Sequence, residues 1–321
     1  MKAATYEKYG SPSVLTIQKI AKPVIKENEI LIRVYATTVN RTDCAMLRAK
    51  PFIMRFFTGL LKPKNKILGT DFAGKIEAVG KSVISFKVGE RVFGLDDSGL
   101  SSHSEYMTIS ADKALATIPA KFSYEAAAAS LEGAHYAYNF INKVKIKPGQ
   151  NVLVNGATGA IGSAAVQLLN YYGVNITAVC NTRNLELVKS LGAQRVIDYT
   201  VEDFTKITDK FSFIFDAVGK STFSKCKPLL EPGGIYISSE LGPMAQNPFL
   251  ALITPLIGGK KVKFPIPHDC KQSVNMIRKL IEEGAFKAVI DKTFPLENIA
   301  DAYLYVEKGE KTGNVIITLE D

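Results

Sequence analysis

Residues Asn151 to Gly162 read NVLVNGATGAIG, a short apolar run that stops in glycines and gives way to helix-forming sequence. Val152, Leu153 and Val154, bounded by Pro148-Gly149 and Asn155-Gly156, suit the buried first strand of a parallel sheet. A helix is expected from about Ala160 to Tyr172, because Ile161, Ala164, Ala165, Leu168 and Leu169 recur at helical spacing before Gly173 ends it. In the turn between them, Ala157, Gly159 and Gly162 hold the positions of a dinucleotide fingerprint in the form AxGxxG. The first small residue allows the tight turn and the second lets backbone N–H groups approach a pyrophosphate. The third lets helix and strand pack closely, with the anion at the helix N-terminus. Thr158, Ala160 and Ile161 complete this expected cofactor-binding turn. A glycine-rich turn that binds nothing has the same residues. The strand before it, the helix after it and a second strand at Ile176 to Cys180 are the setting that the fingerprint requires.

Beyond this unit the pattern continues as alternating helices and strands. A helix is expected at about Leu185 to Leu191, and strands at Arg195 to Ile197, Phe211 to Asp216, Ile235 to Ser239 and Lys261 to Phe264. Six strands with intervening helices give an α/β fold with a doubly wound parallel sheet, whose ligand binds at the carboxyl ends of the strands. Before it, Lys2 to about Ala120 is rich in short strands, at Ala3 to Tyr6, Val14 to Ile20, Glu29 to Thr37, Phe72 to Val79, Arg91 to Phe93 and Glu105 to Ile109. Frequent glycines and a lone helix near Asp43 point to a compact β-barrel-like domain. The tail helix at Leu296 to Val306 and strand at Asn314 to Leu319 are expected to rejoin it. The domains are therefore read as 1–120 with 286–321, and 121–285.

Composition excludes several classes. The 46% hydrophobic and 22% charged residues are those of a globular chain, and 321 residues suffice for two cores. The net charge of +9 is spread without a block of like charges, so a solvated basic surface is expected and no specific nucleic acid. Cys44, Cys180, Cys226 and Cys270 form no CxxC pair and suggest neither a disulfide framework nor a structural zinc lobe. No apolar run reaches transmembrane length, and Met1-Lys2-Ala3-Ala4 runs straight into strand-like sequence, so a cytoplasmic protein is expected. One segment stands apart. Arg48 to Lys66, RAKPFIMRFFTGLLKPKNK, mixes Phe52, Ile53, Met54, Phe56, Phe57, Leu60 and Leu61 with basic residues and no acid. A surface helix docked on the core, a lid over a hydrophobic substrate and peripheral membrane contact all fit it.

Several stretches coincide with these features: EILIRVYATTVNRTDCAML at Glu29 to Leu47, GTDFAGKIEAVG at Gly69 to Gly80, VGERVFG at Val88 to Gly94, the AxGxxG turn, and FDAVG at Phe215 to Gly219. Together they resemble the medium-chain dehydrogenase/reductase superfamily, in its zinc-free quinone oxidoreductase and alkenal/enone reductase branch, over nearly the whole chain. The resemblance implies a Rossmann nucleotide-binding domain beside a GroES-like catalytic domain, a small hydrophobic substrate, and a homodimer joined through the nucleotide domain. In the zinc-dependent members, a ligating cysteine and histidine stand where this chain has Asn40 and Thr70. Amide and hydroxyl are poor zinc ligands beside thiolate and imidazole, so no metal is expected. His103, His135 and His268 share no ligand spacing.

Without a metal, hydrogen-bond donors must steady the charge that collects on oxygen when hydride reaches an unsaturated carbonyl or a quinone. Asn40 and Thr42 are the candidates. Thr42 aligns with a proton-relaying hydroxyl of the zinc enzymes, and it equally suits an N-cap for the helix starting at Asp43. His135, in LEGAHYAY, falls where relatives place a threonine near the nicotinamide, and a satisfied half-buried histidine fits equally. After the second strand comes Asn181-Thr182-Arg183-Asn184, with no carboxylate to bind ribose hydroxyls and with Arg183 to pair a 2′-phosphate. NADPH is therefore the expected cofactor. The resemblance adds Tyr199, Val218, Gly219 and Ser239 as its neighbours. The expected function is hydride transfer from NADPH to a quinone or an α,β-unsaturated carbonyl. The alternatives are a zinc-free alcohol or carbonyl dehydrogenase, and a non-catalytic NADPH-binding sensor or nucleic-acid-binding protein on the same fold.

Overall fold

The computed structural model describes residues 1–319 apart from Ile53 and Pro265, and the side chain of Phe57 also lies outside the described set. The chain forms two compact units, Met1–Glu132 with Asp269–Asp321, and Gly133–His268.

The first unit opens with a two-stranded antiparallel ribbon, β1 (Lys2–Thr5) and β2 (Thr16–Lys19). β3 (Glu29–Val39) follows, then α1 (Arg41–Arg48), α2 (Met54–Thr58), β4 (Asp71–Val79), β5 (Arg91–Leu95), β6 (Tyr106–Ser110), β7 (Leu115–Thr117) and α3 (Tyr124–Ala129). Along β3 the inward residues Ile30, Ile32 and Val34 meet Phe72, Ile76, Val92 and Met107 in one core. This period-two burial reads off a half-buried strand.

The second unit begins within α4 (Glu132–Asn142) and continues through β8 (Asn151–Asn155), α5 (Ala160–Tyr171), β9 (Asn175–Cys180), α6 (Leu185–Ser190), β10 (Arg195–Asp198), β11 (Phe211–Asp216), α7 (Phe223–Cys226), β12 (Leu230–Ser238), α8 (Gln246–Ile257) and β13 (Lys261–Lys263). Its six strands are ordered β10-β9-β8-β11-β12-β13 with every pairing parallel, the doubly wound sheet expected. Leu153, Val179 and Ile214 are fully buried, as strands covered on both faces must be.

The chain then returns through α9 (Cys270–Glu282), β14 (Ile290–Pro295), α10 (Ile299–Glu307) and β15 (Asn314–Thr318). β15 pairs antiparallel with β3 and parallel with β14, completing a seven-stranded sheet in the first unit. The divides at Glu132 and His268 differ from those expected at 120 and 285. α3 packs on β3, β4 and β15, and α9 packs on β5 and β7, so both belong with the first unit. Helical periodicity shows that an apolar face exists, but not which sheet covers it.

The segment Arg48 to Lys66 does not bury its large residues as a docked helix would. Met54 packs on the core, whereas Phe52, Phe56, Leu60 and Leu61 are exposed, Phe56 by 65% and Leu61 by 88%. Ile53 and the Phe57 side chain are outside the described residues.

Candidate active site

In the first unit the decisive loop is the one joining β3 to α1. Asn40 is the N-cap of α1: its Oδ1 accepts from Asp43 N at 2.9 Å, and Asp43 Oδ2 accepts from Asn40 N at 3.0 Å. This reciprocal capping box fixes the loop. It also corrects the reading of Thr42 as a cap. One residue into the helix, Thr42 points sideways and donates to Glu132 Oε1 at 2.6 Å. Asn40 Nδ2 donates to Thr70 Oγ1 at 2.8 Å, and both residues are buried. The two positions where zinc ligands would stand thus hold an amide and a hydroxyl already satisfied by each other. This donor set does not fit zinc.

Under the loop lies a group of buried carboxyls, Asp43, Asp71 and Glu132. Burial raises all three, since it penalises the charged form. Asp43 is pushed well up by burial, with Glu132 and Asp71 adding to it. Asp71 is raised by burial to about 6, against bonds from Thr38 N at 2.9 Å and Thr38 Oγ1 at 2.6 Å. Glu132 is raised by burial to about 8; the Thr42 bond and Lys311 oppose this, while Asp71 and Asp97 reinforce it. Lys311 is lowered by burial. Burial thus favours the protonated form of Glu132. His103 is buried beside them, with Nε2 2.9 Å from the Thr38 carbonyl and Nδ1 3.3 Å from Tyr303 OH. A carbonyl only accepts, so Nε2 holds the ring hydrogen. Burial lowers the imidazole to about 4, so the ring is neutral and structural.

In the second unit the expected turn follows β8. Its left-handed residue is Gly156 (φ +79°), one position before Ala157, which is buried instead. A side chain on Gly162 would put Cβ 2.0 Å from Gly156 O, so this glycine is set by helix-to-strand packing. A Cβ on Gly159 would meet nothing within 4 Å, and Gly159 is the N-cap of α5 with no side-chain cap. Open space before an uncapped helix N-terminus fits a pyrophosphate. Thr158, Ala160 and Ile161 are partly exposed along this turn.

The remaining expected cofactor residues lie at the carboxyl ends of the strands. Asn181, Thr182 and Arg183 follow β9; Thr182 Oγ1 is 3.0 Å from Thr200 Oγ1, and Arg183 is exposed with no ion pair among the described residues. Asp198, at the end of β10, is engaged by Thr200 N at 2.9 Å and Oγ1 at 2.7 Å. Tyr199 is exposed beside it. Val218 packs at Gly156, where an added Cβ would come within 2.6 Å. Ser239 follows β12, with a buried hydroxyl that finds no partner among the described residues. An orphaned hydroxyl here suits a polar ligand. His135 is fully buried on α4, with Asn139 Nδ2 3.2 Å from its Nδ1. Such a helical i, i+4 bond favours the structural reading of this histidine.

Sequence reading missed two residues. Asp216 is a buried hub: its carboxylate accepts from Asn155 Nδ2, Gly219 N and Ser221 N at 3.0 Å each and from Tyr236 OH at 3.1 Å. It holds the Ala217 to Gly219 turn that Val218 needs. The quoted FDAVG contained it without revealing its partners. Glu132 looked like an ordinary acid in the first turn of a helix.

Residues 26–120 match the family described as alcohol dehydrogenase GroES-like domain, and residues 191–317 match the one described as zinc-binding dehydrogenase. The chain is 32% identical to the 2-methylene-furan-3-one reductase of Solanum lycopersicum, over 99% of this chain and 79% of the relative. It is 30% identical, with the same coverage, to the chloroplastic NADPH-dependent alkenal/one oxidoreductase of Arabidopsis thaliana. The quinone oxidoreductase from Coxiella burnetii has the same fold, with a TM-score of 0.87 at 24% identity over 100% of this chain and 99% of that one. The chain thus belongs to the medium-chain dehydrogenase/reductase superfamily, in its branch of quinone oxidoreductases and alkenal/enone reductases.

Proposed function

We propose that this chain is a zinc-independent reductase that carries hydride from NADPH to a quinone or an α,β-unsaturated carbonyl. The observation that carries this reading is the hydrogen bond from Asn40 to Thr70, which occupies the ligand positions of a metal site with non-ligating groups. A simple carbonyl reduced without a Lewis acid leaves a localised, strongly basic alkoxide. An enone or quinone spreads the charge as an enolate or phenolate, which hydrogen-bond donors can hold. Asn40 retains one Nδ2 hydrogen beyond its bond to Thr70, and Thr42 offers its hydroxyl hydrogen when the bond it donates to Glu132 reverses.

NADPH, when bound, supplies the hydride. The turn from Ala157 to Gly162 holds its pyrophosphate, and Ser239 takes a hydrogen bond with its orphaned hydroxyl. Arg183 reads the 2′-phosphate, with Asn181, Thr182 and Tyr199 around it, and Val218 and Gly219 line the ribose side. His135 on α4 is assigned to the nicotinamide side, its Nδ1 engaged by Asn139 Nδ2. Unit Gly133–His268 is assigned nucleotide binding, and the remainder the catalytic loop.

Two finer readings go with this. A homodimer through the nucleotide unit is supported by exposed apolar residues on α8. Residence in a reducing compartment such as the cytoplasm is supported by four cysteines that form no disulfide. The test is NADPH oxidation against quinones, enones, aldehydes and alcohols. Turnover confined to the first two is expected, and binding of NADPH with turnover of none selects the non-catalytic alternative.

A further inference from the structure

A threonine alkoxide is too basic to persist, so a Thr42 hydroxyl that gives up its proton must be resupplied at once. This hydroxyl donates to Glu132 Oε1 at 2.6 Å, between residues 90 positions apart in sequence. Glu132 is buried at the first position of α4 and faces Asp43 and Cys44 on α1, Asp71 on β4, Asp97 beyond β5, and Lys311 before β15. Burial and mutual repulsion both work against ionising all three carboxyls, and burial lowers Lys311 as well. The group therefore retains a proton next to Thr42. Nothing about capping requires Glu132 here, because Asn40 and Asp43 already cap α1.

We propose that Glu132 is the proton reservoir of the reaction, acting through the Thr42 hydroxyl. The inference rests on the reductase reading above. Hydride addition to the β-carbon shifts the C=C pair into a bond between the α-carbon and the carbonyl carbon and drives the C=O π pair onto oxygen, giving an enolate. That oxygen takes the Thr42 hydroxyl proton and becomes an enol, while the Thr42 oxygen takes the carboxyl proton of Glu132. The bond between acid and hydroxyl reverses at a separation that already permits either direction. Glu132 is left as a carboxylate and regains its proton from water, so the resting pair is restored. Glu132 touches no substrate and is a positioning residue that also stores the proton.

The test follows NADPH oxidation by a small cyclic enone between pH 6 and 10 for the wild type, Glu132→Gln, Thr42→Val and Thr42→Ser. For the wild type, kcat falls as pH rises through about 8, where Glu132 ionises. Glu132→Gln lowers kcat by roughly 100-fold, the low end of what a general acid contributes, and abolishes the alkaline limb with KM for NADPH unchanged. Thr42→Val reproduces this loss and Thr42→Ser restores the wild-type profile, which keeps the test decisive if Glu132→Gln fails to fold. In infrared difference spectra without substrate, the protonated-carboxyl C=O stretch lost in Glu132→Gln should titrate near pH 8 in the wild type. An active wild type whose profile survives Glu132→Gln and Thr42→Val overturns the relay alone. A wild type inert to every enone and quinone overturns the proposed function and the relay with it.

Discussion

At the scale of single residues, glycines that look alike in the fingerprint have different duties. Gly159 has open space where its Cβ would be, whereas a Cβ on Gly162 would strike Gly156 O at 2.0 Å. Gly159→Ala should therefore keep the wild-type Tm yet weaken NADPH binding by about tenfold or more, because the methyl fills the approach of the pyrophosphate. Gly162→Ala should lower stability by about 1–3 kcal/mol through overpacking. Calorimetry together with cofactor titration separates the two, and equal loss of Tm would remove the phosphate role from Gly159. Arg183→Ala should cost about 1.5 to 3 kcal/mol of a charge-assisted phosphate contact, roughly tenfold to a hundredfold in NADPH affinity, with NADH unaffected. Parallel weakening of both cofactors would mean that Arg183 supports the fold. The three fingerprint positions were legible because local chain geometry demands them. That the turn's left-handed residue is Gly156, just before the fingerprint, is visible only in φ. Glu132 was illegible for a different reason: its role depends on a hydroxyl 90 residues away, and no local pattern encodes that distance.

Elements show the same division between local and long-range information. The capping box of α1 uses Asn40 and Asp43, three residues apart, and a short polar residue followed by an acid at that spacing is a local signal. Thr42 was weighed equally as cap and as hydroxyl donor, and the structure gives the cap to Asn40. For the segment Arg48 to Lys66 three readings were open, and the structure leaves Phe52, Phe56, Leu60 and Leu61 in solvent around a helix of five residues, which goes against the docked helix and leaves the lid and the membrane contact. That exposure costs little in the folded state's own packing, so replacing Phe56 and Leu61 together with Ser should leave Tm unchanged. A lid role requires KM to rise more for aromatic or long-chain enones than for small ones, which steady-state kinetics would measure. Unaltered kinetics with lost binding to anionic vesicles would assign the segment to a membrane surface instead.

For the whole molecule, the doubly wound sheet was legible because its central parallel strands, buried on both faces, are almost uniformly apolar and alternate with helices, whereas the edge strands β10 and β13 are short and partly exposed. Partition of the helices between units was not legible, and neither was the outward face of α8. On that helix Leu250 and Ala251 pack inward, and Thr254 Oγ1 accepts from Val262 N at 2.9 Å, fixing the helix against β13. The opposite face presents Phe249, Leu252, Ile253, Leu256 and Ile257 to solvent, Leu256 by 87%. Each large apolar side chain gains about 1.5 to 3 kcal/mol when fully buried, so a row at helical spacing is a strong drive for association. Since the face belongs to the nucleotide unit, a second copy of the same unit is the occupant argued here, and a self-complementary contact would cover both rows at once. Light scattering should give a dimer for the wild type and a monomer for Leu252→Glu combined with Leu256→Glu, with NADPH affinity retained because neither side chain belongs to the proposed cofactor site. A wild type that stays monomeric at micromolar concentration, or a double variant that stays dimeric, would remove α8 from the interface and leave its apolar face to another partner.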